Sequence, residues 1–235
     1  MRKIYLIPVP LAEDAQHTLS PQVKEVLQQT DYFLVENLRT ARRFISSMKT
    51  GKVIENMTFF ELDKKTTHAQ IETYFTQIPA DASVGIMSEA GCPGVADPGA
   101  VAVAYAHQKG IEVVPLVGPS SILLALMASG MNGQSFTFHG YLPIDRAERI
   151  KSIKNLDKES QTKRQTQIFM ETPYRNNHLL YDLLQNLHPY TQLCIAADIT
   201  APGQSIKTQL VKDWQKTKPD LNKVPVIYLL LNNSK

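Results

Sequence analysis

The chain has 235 residues, of which 43% are hydrophobic and 20% charged, and its formal net charge at pH 7 is +3. This composition excludes disordered and collagen-like chains and is enough for one large or two small hydrophobic cores. The basic excess permits a polyanionic partner, but it is far below that of a dedicated nucleic-acid-binding protein.

The cysteines indicate a reducing compartment. Cys92 and Cys194 give neither a disulfide framework nor a zinc-type spacing with histidine. We therefore expect two free thiols, a cytoplasmic protein and no bound metal. The N-terminal sequence MRKIYLIPVPLAED predicts a first strand rather than a signal peptide, because Pro8 and Pro10 interrupt its short apolar run.

A long uncharged segment runs from Val113 to Ile144, without Asp, Glu, Lys or Arg. Prolines and glycines interrupt it, so neither half provides the roughly 20 unbroken apolar residues that a membrane-spanning helix needs. We expect this segment to be buried inside the protein and expect no membrane association.

The first half of the chain alternates strand and helix patterns, which predicts a parallel α/β sheet. Helices are predicted from Ser20, Leu38 and Thr67 and near Gly99. Strands are predicted in the segments KIYLI, DYFLVE, KVIE, SVGIMS and IEVVPL.

After Leu116 the sequence GPSSILLALMASG predicts a helix that Ser120 or Ser121 caps and that ends at Gly130. We place the domain boundary here, with domains over residues 1–117 and 118–235. An amphipathic helix is predicted in NNHLLYDLLQNL, and a helix followed by a mobile loop between Asp145 and Gln167. Further strands are predicted in SFTFHG, TQIFME, QLCIAAD and VPVIYLLL.

Three segments are candidate sites. Residues 88–100, SEAGCPGVADPGA, pack glycines and prolines between a buried strand and a helix, where open α/β sheets bind ligands. A tight strand-to-helix turn is the alternative reading, and both GxGxxG and GxxxxGK[ST] are missing. In residues 117–122, VGPSSI, the glycine lets the backbone approach a ligand, and two hydroxyls and the free amides of the helix start can donate to it. The alternative is that the segment is only a capped helix start.

The third segment is VENLRTARRF, residues 35–44, which places Glu36 at another strand-to-helix junction. Acidic residues are missing from Asn37 to Ile54, whereas this stretch contains several arginines and lysines. The stretch is either a solvated helix face or a patch that contacts phosphates of a nucleic acid. The arginines of the candidate patch are Arg39, Arg42 and Arg43.

Taken in order, these blocks resemble the tetrapyrrole (corrin/porphyrin) methylase superfamily, and most closely its branch of ribosomal RNA small-subunit ribose 2′-O-methyltransferases. The matching blocks cover nearly the whole chain: IYLIPVPLAED, VENLRTARRFI, GIMSEAGCPGVADPG, VVPLVGPSSILLALMASGM, FTFHGYLP, IFMETPYR, LCIAADIT and VPVIYLLL. The resemblance implies a Rossmann-like, parallel-sheet N-terminal domain and a mixed-sheet α/β C-terminal domain. It also implies S-adenosyl-L-methionine in the cleft between them, and a homodimer.

By position, the resemblance implies that small and apolar residues hold the cofactor through backbone groups and apolar walls. They are Pro8, Val9, Pro10, Ala90, Gly91, Cys92, Gly94, Ser120, Ser121, Met170, Thr172, Ala197, Pro225 and Val226.

The chain departs from the family at polar positions that handle the acceptor. Asn37 stands where the family has a second acid, and residues 197–201 replace an expected Arg-Glu pair with a following Lys. Because ribose hydroxyls are poor nucleophiles, a base should assist methyl transfer. The acids that adjoin the implied cleft are Glu36, Asp97 and Asp198.

The sequence therefore predicts an S-adenosylmethionine-dependent methyltransferase, with structured RNA of the small ribosomal subunit as the preferred acceptor. Two alternatives remain open at this point. One is a tetrapyrrole methyltransferase, which shares the fold. The other is a cofactor-binding protein that has lost transferase activity.

Overall fold

The structure is a computed structural model that describes residues 2–234. Its contacts divide the chain into two compact α/β units, one ending at Ser120 and the other beginning at Ser121.

The first unit is built on a five-stranded sheet in the order β3-β2-β4-β1-β5, in which all paired strands are parallel. Short 3₁₀ turns occupy Gln16–Thr18 and Ile54–Asn56. The other elements are β1 (Lys3–Leu6), α1 (Pro21–Gln29), β2 (Tyr32–Val35), α2 (Leu38–Ser47), β3 (Thr58–Glu61), α3 (His68–Thr76), β4 (Val84–Met87), α4 (Ala100–Gln108) and β5 (Glu112–Pro115).

Side-chain caps fix where the first helices begin. The Ser20 hydroxyl accepts a hydrogen bond from the Gln22 amide, and proline follows directly at the first helical position. Asn37 caps α2 by accepting from the amides of Arg39 and Thr40 at 2.9 and 3.2 Å. Asn37 therefore has a structural function at the start of α2.

Helices cover both faces of the first sheet. Each face of the sheet has its own hydrophobic core, and successive side chains of β2 point into different cores. Phe33 packs with α1 and α2, and Leu34 packs with α3 and α4. The connections after the neighbouring strands β1 and β4 consequently leave toward opposite faces. Such a reversal opens a crevice at the carboxyl ends of the strands, where α/β proteins bind ligands.

The second unit holds a mixed sheet in the order β6-β7-β10-β8-β9. Strands β6 and β7 are parallel, and the other neighbours are antiparallel. The elements are α5 (Ser121–Ser129), β6 (Phe136–Tyr141), α6 (Arg146–Lys163), β7 (Thr166–Glu171), α7 (Asn176–Asn186), β8 (Gln192–Ala197), β9 (Ser205–Leu210), α8 (Val211–Thr217) and β10 (Val226–Leu231).

A buried ion pair joins α6 to α7 in the second unit. The Asp182 carboxylate accepts from Arg149 Nη2 at 2.8 Å and from Arg146 Nε at 3.1 Å. Arg149 also donates to the carbonyls of Pro143 and Ile144, so it fixes the connection between β6 and α6. Removing one partner of such a pair leaves an unpaired buried charge, which is strongly destabilising.

Two local predictions are wrong, and two elements were not predicted. The segment KVIE forms part of a loop and a 3₁₀ turn, and the strand is the next apolar run, Thr58–Glu61. The mobile loop predicted before Gln167 is absent, because α6 continues to Lys163 and β7 begins at Thr166. Strand β9 and helix α8 were not predicted.

The expectation that the uncharged segment from Val113 to Ile144 is buried is wrong for part of its length. Val117, Met127 and Ile144 are each at least 75% exposed. Within residues 2–234, no helix is both long and apolar enough to cross a membrane.

Candidate functional site

Three loops meet at the carboxyl edge of the first sheet, because β4, β1 and β5 are neighbours there. The loop after β1 and the loop after β4 are joined by two backbone hydrogen bonds. Val9 N donates to Gly91 O at 2.9 Å, and Gly91 N donates to Val9 O at 3.1 Å. The Cys92 thiol reaches the loop after β5, where Pro119 O lies 3.4 Å from its sulfur.

Glycines permit this close approach of backbones. A Cβ built on Gly118 would lie 2.2 Å from Pro8 Cβ, a distance that real structures do not tolerate. Gly91 has a φ of +72°, and a Cβ there would meet Pro119 O at 3.4 Å. We call these three loops, residues 7–10, 88–99 and 116–120, the loop cradle.

The cofactor residues predicted in the first unit belong to the loop cradle. Pro8, Val9, Gly91 and Cys92 lie at its contacts, and Ala90 is the exposed residue beside Gly91. Gly94 closes the loop after β4, since its amide donates to Pro98 O at 3.2 Å. Gly118, which makes the closest approach, was not among the predicted residues, although it stands in the GPSS motif.

Two of the predicted catalytic acids lie at the same edge. Glu36 directly follows β2, which pairs with β4, and its carboxylate accepts from the Glu89 amide at 3.2 Å. Asp97 lies on the loop after β4. Burial, and second the negative charge of Glu36, raise the pKa of Asp97 to about 6, and the Ser88 hydroxyl acts in the opposite direction.

This pair has the properties of a proton acceptor near neutral pH. A carboxyl group that titrates at about 6 is still largely ionised at pH 7, yet it is far more basic than an ordinary aspartate. Its charged neighbours also include Lys64 and Glu89.

The predicted basic patch lies on the exposed side of α2. Arg39, Arg42 and Arg43 are all exposed. The guanidinium of Arg42 lies over the ring of Phe59, with Cζ 5.1 Å from the centroid. Arg43 lies 3.9 Å from the Glu13 carboxylate, a long and solvent-exposed contact that leaves the Arg43 charge largely available.

The second unit brings its own predicted residues together at one end of its sheet. Val226 of β10 is paired with Ala197 of β8 on one side and with Glu171 of β7 on the other. Pro225 O accepts from the Asp198 amide at 3.0 Å. The residues that share this end are Met170, Thr172, Ala197, Asp198, Pro225 and Val226.

A buried carboxylate orders the turn at this end, and sequence reasoning did not find it. The Glu171 side chain is almost fully buried and accepts from the Thr172 amide at 2.7 Å and from Arg175 Nε at 3.0 Å. Arg175 Nε also donates to the Thr172 hydroxyl at 3.2 Å. The TPYR motif could have indicated this turn, since its arginine donates a hydrogen bond to the hydroxyl of its threonine.

The loop after β8 carries backbone strain beside the same residues. Asp198 and Thr200 have φ values of +49° and +70°, which residues other than glycine rarely adopt. Thr200 Oγ1 is buried and finds no hydrogen-bond partner among residues 2–234. Strain and an unused polar atom in one loop are typical of a site that receives a ligand.

Cys92 and Cys194 are both free thiols, one in each unit. Burial raises the pKa of both thiols. Within residues 2–234, no group of three or more His, Cys, Asp or Glu side chains is placed to hold a metal ion.

Comparisons with solved structures extend over 99% of the chain. The crystal structure of the methyltransferase CobJ has a TM-score of 0.65 at 15% identity, with 95% of that chain covered. Uroporphyrin-III-C-methyltransferase from Thermus thermophilus has a TM-score of 0.57 at 18% identity and is covered over 93% of its chain. These similarities establish the two-unit α/β fold.

Sequence comparisons identify the family. A relative from Vibrio cholerae, ribosomal RNA small subunit methyltransferase I, is 30% identical over 87% of this chain and 67% of its own length. A protein of the same name from Buchnera aphidicola (subspecies Schizaphis graminum) is 24% identical over 99% of this chain and 79% of its own length. The model of the tetrapyrrole (corrin/porphyrin) methylases matches residues 3–214. The chain therefore belongs to the tetrapyrrole (corrin/porphyrin) methylase family.

Proposed function

We propose that this chain is an S-adenosylmethionine-dependent methyltransferase that methylates a ribose 2′-hydroxyl of small-subunit ribosomal RNA. The observation that carries the proposal is the loop cradle beside Glu36 and Asp97. The backbone of its loops can contact a cofactor, and it lies next to two carboxyl groups that can accept a proton. Membership of a methylase family and the names of the relatives supply the reaction class and the acceptor.

The residues fit the cofactor. Glycine backbones and apolar walls form the loop cradle, and a side chain at Gly118 would displace Pro8 from it. We propose domains over residues 1–117 and 118–235, and we propose that Ser120, Ser121, Thr172 and Ala197 contact the cofactor. When bound, S-adenosylmethionine supplies a methyl group on a positively charged sulfur.

The chain's own residues would orient the acceptor and take its proton. We assign the proton to the Asp97 carboxylate, whose pKa is raised first by burial and second by Glu36, and we propose a supporting role for Asp198. Holding the acceptor oxygen in line at about 3–3.5 Å from the reacting carbon can supply several kcal/mol of the barrier reduction.

The RNA contact is proposed for the exposed arginines of α2. We expect Arg42→Glu with Arg43→Glu to weaken RNA binding and methyl transfer at least about tenfold, because charge reversal removes two phosphate contacts. The double variant should keep its fold, since both side chains are exposed. The measurement is tritium transfer from labelled cofactor to small ribosomal subunits from cells that lack this protein.

The wild type in the same assay tests the function itself. Labelled methyl in ribosomal RNA supports it, and labelling of a porphyrin precursor instead would assign the tetrapyrrole reaction. Calorimetric binding of S-adenosylhomocysteine without transfer to any acceptor would indicate a protein without transferase activity. Equal rates for the wild type and the double variant would refute the role of the arginines.

We further propose that the protein is a cytoplasmic homodimer. Leu123 and Met127 are 51% and 79% exposed and lie one turn apart on α5, where an apolar surface is costly unless another chain covers it. Met127→Glu should shift the mass measured by light scattering from dimer toward monomer, whereas Glu112→Gln, in the other unit, should not. A monomeric wild type would contradict the proposal.

A further inference from the structure

An open cavity of about 440 Å³ lies in the first unit, between the loop after β1 and helix α2. Of the predicted cofactor residues, Val9 and Pro10 line it, and Arg43 of the basic patch and Ser88 and Glu89 of the loop cradle also contribute to its wall. Its lining also includes Leu11, Glu13, Gln16, Phe44 and Ser47.

One end of the cavity adjoins Glu36. Ser88 and Glu89 line it, and the Glu89 amide donates to the Glu36 carboxylate at 3.2 Å. A molecule in the cavity is therefore separated from Glu36 by a single residue of the loop after β4. The cavity is therefore continuous with the edge of the loop cradle that carries Glu36.

The lining chemistry fits a flat, uncharged, hydrogen-bonding group. Leu11 and Phe44 supply apolar and aromatic surface. Gln16 and Ser47 supply amide and hydroxyl groups and are themselves joined, with Gln16 Nε2 donating to Ser47 Oγ at 3.2 Å.

The charge of the lining disfavours anionic ligands. Glu13, Asp14 and Glu89 contribute three carboxylates, and Arg43 contributes one guanidinium, which already faces Glu13 at 3.9 Å. A phosphate or the carboxylates of a tetrapyrrole would meet net negative charge here. A nucleobase is neutral, and its edges donate and accept hydrogen bonds.

We propose that this cavity holds the base of the nucleotide whose ribose is methylated, turned out of its RNA stack. The inference rests on the proposed function and names the subsite for its acceptor. The volume lies within the roughly 300–1,000 Å³ of small-molecule pockets, and proteins that recognise unstacked bases place them against aromatic side chains. A base held between Phe44 and Gln16 would have its ribose at the end of the cavity where Glu89 contacts Glu36.

The test is a substitution on α2 whose larger side chain fills the cavity. Ser46 and Ser47 are adjacent, exposed residues of this helix, but only Ser47 lines the cavity. Ser47→Trp should lower methyl transfer to small ribosomal subunits at least about tenfold, because a displaced acceptor loses its alignment. Ser46→Trp should stay within about twofold of the wild type. Affinity for S-adenosylhomocysteine, measured by calorimetry, should be unchanged in both variants.

A second readout is independent of activity. Saturation-transfer NMR with adenosine, guanosine, cytidine and uridine should give signals with the wild type and Ser46→Trp that disappear with Ser47→Trp. A Ser47→Trp variant with wild-type transfer or wild-type nucleoside signals would overturn the inference, as would a wild type that binds none of the four nucleosides. If the wild type transfers no methyl group to RNA, the proposed function fails, and the NMR comparison still decides whether the cavity binds a base.

Discussion

Replacing Gly118 with alanine is expected to lower the free energy of unfolding by about 2–3 kcal/mol, because the new methyl group overlaps a rigid proline ring. The added Cβ would lie 2.2 Å from Pro8 Cβ and 2.3 Å from Pro8 Cγ. Either Pro8 or Gly118 must move, and both belong to the loop cradle. Affinity for S-adenosylhomocysteine should therefore also fall, because the displaced loop no longer has the shape that holds the cofactor.

Denaturant unfolding and calorimetry measure these two effects. Gly133→Ala is the matched control, because a Cβ at Gly133 meets no heavy atom within 4 Å. It should change the free energy of unfolding by no more than about 0.5 kcal/mol. If Gly118→Ala binds S-adenosylhomocysteine as the wild type does, the loop after β5 does not shape the cofactor site.

The loop cradle shows how far the sequence predicts the site. Its glycines and prolines follow strands, and the carboxyl ends of parallel strands share one edge, so Pro8, Gly91 and Glu36 could be assigned to one region. The approach of Gly118 to Pro8 could not be predicted, because it depends on β5 lying next to β1. The cavity likewise requires α2 to lie beside the loop after β1, which no local pattern specifies.

The wrong element assignments have local causes. The segment KVIENMTFFE contains two apolar runs, and only pairing with β2, in which Thr58 lies opposite Tyr32, selects the second. Phe59 then stacks on Phe33 with 5.4 Å between centroids. In α6 the buried residues include Arg149 and Ser160. Because these residues are polar, the sequence does not show a continuous apolar helical pattern, and their burial is explained only by tertiary hydrogen bonds such as that from Ser160 to Gln165 O.

Asp97→Asn is expected to lower the rate of methyl transfer by about 10²–10⁴-fold, the usual contribution of a positioned proton acceptor. In the wild type, the rate should fall about tenfold per pH unit below a pH of about 6, because the carboxylate of Asp97 must be ionised to accept a proton. The asparagine variant should lose this dependence. Rates of tritium transfer between pH 5 and 8 measure both effects.

The free energy of unfolding of the Asp97→Asn variant distinguishes a catalytic from a structural role for Asp97. Because folding raises the pKa of this carboxyl group from 3.8 to about 6, the folded state favours its protonated form. The stabilisation from this group is therefore complete below pH 3.8 and is lost as the pH rises toward 6. Asp97→Asn, which stays neutral, should be at least as stable as the wild type at pH 7 while being far less active. Asp81→Asn, an exposed residue before the opposite end of β4, should change neither property. A less stable Asp97→Asn variant with an unchanged pH profile would assign Asp97 to the scaffold and leave Glu36 as the remaining proton acceptor at this edge.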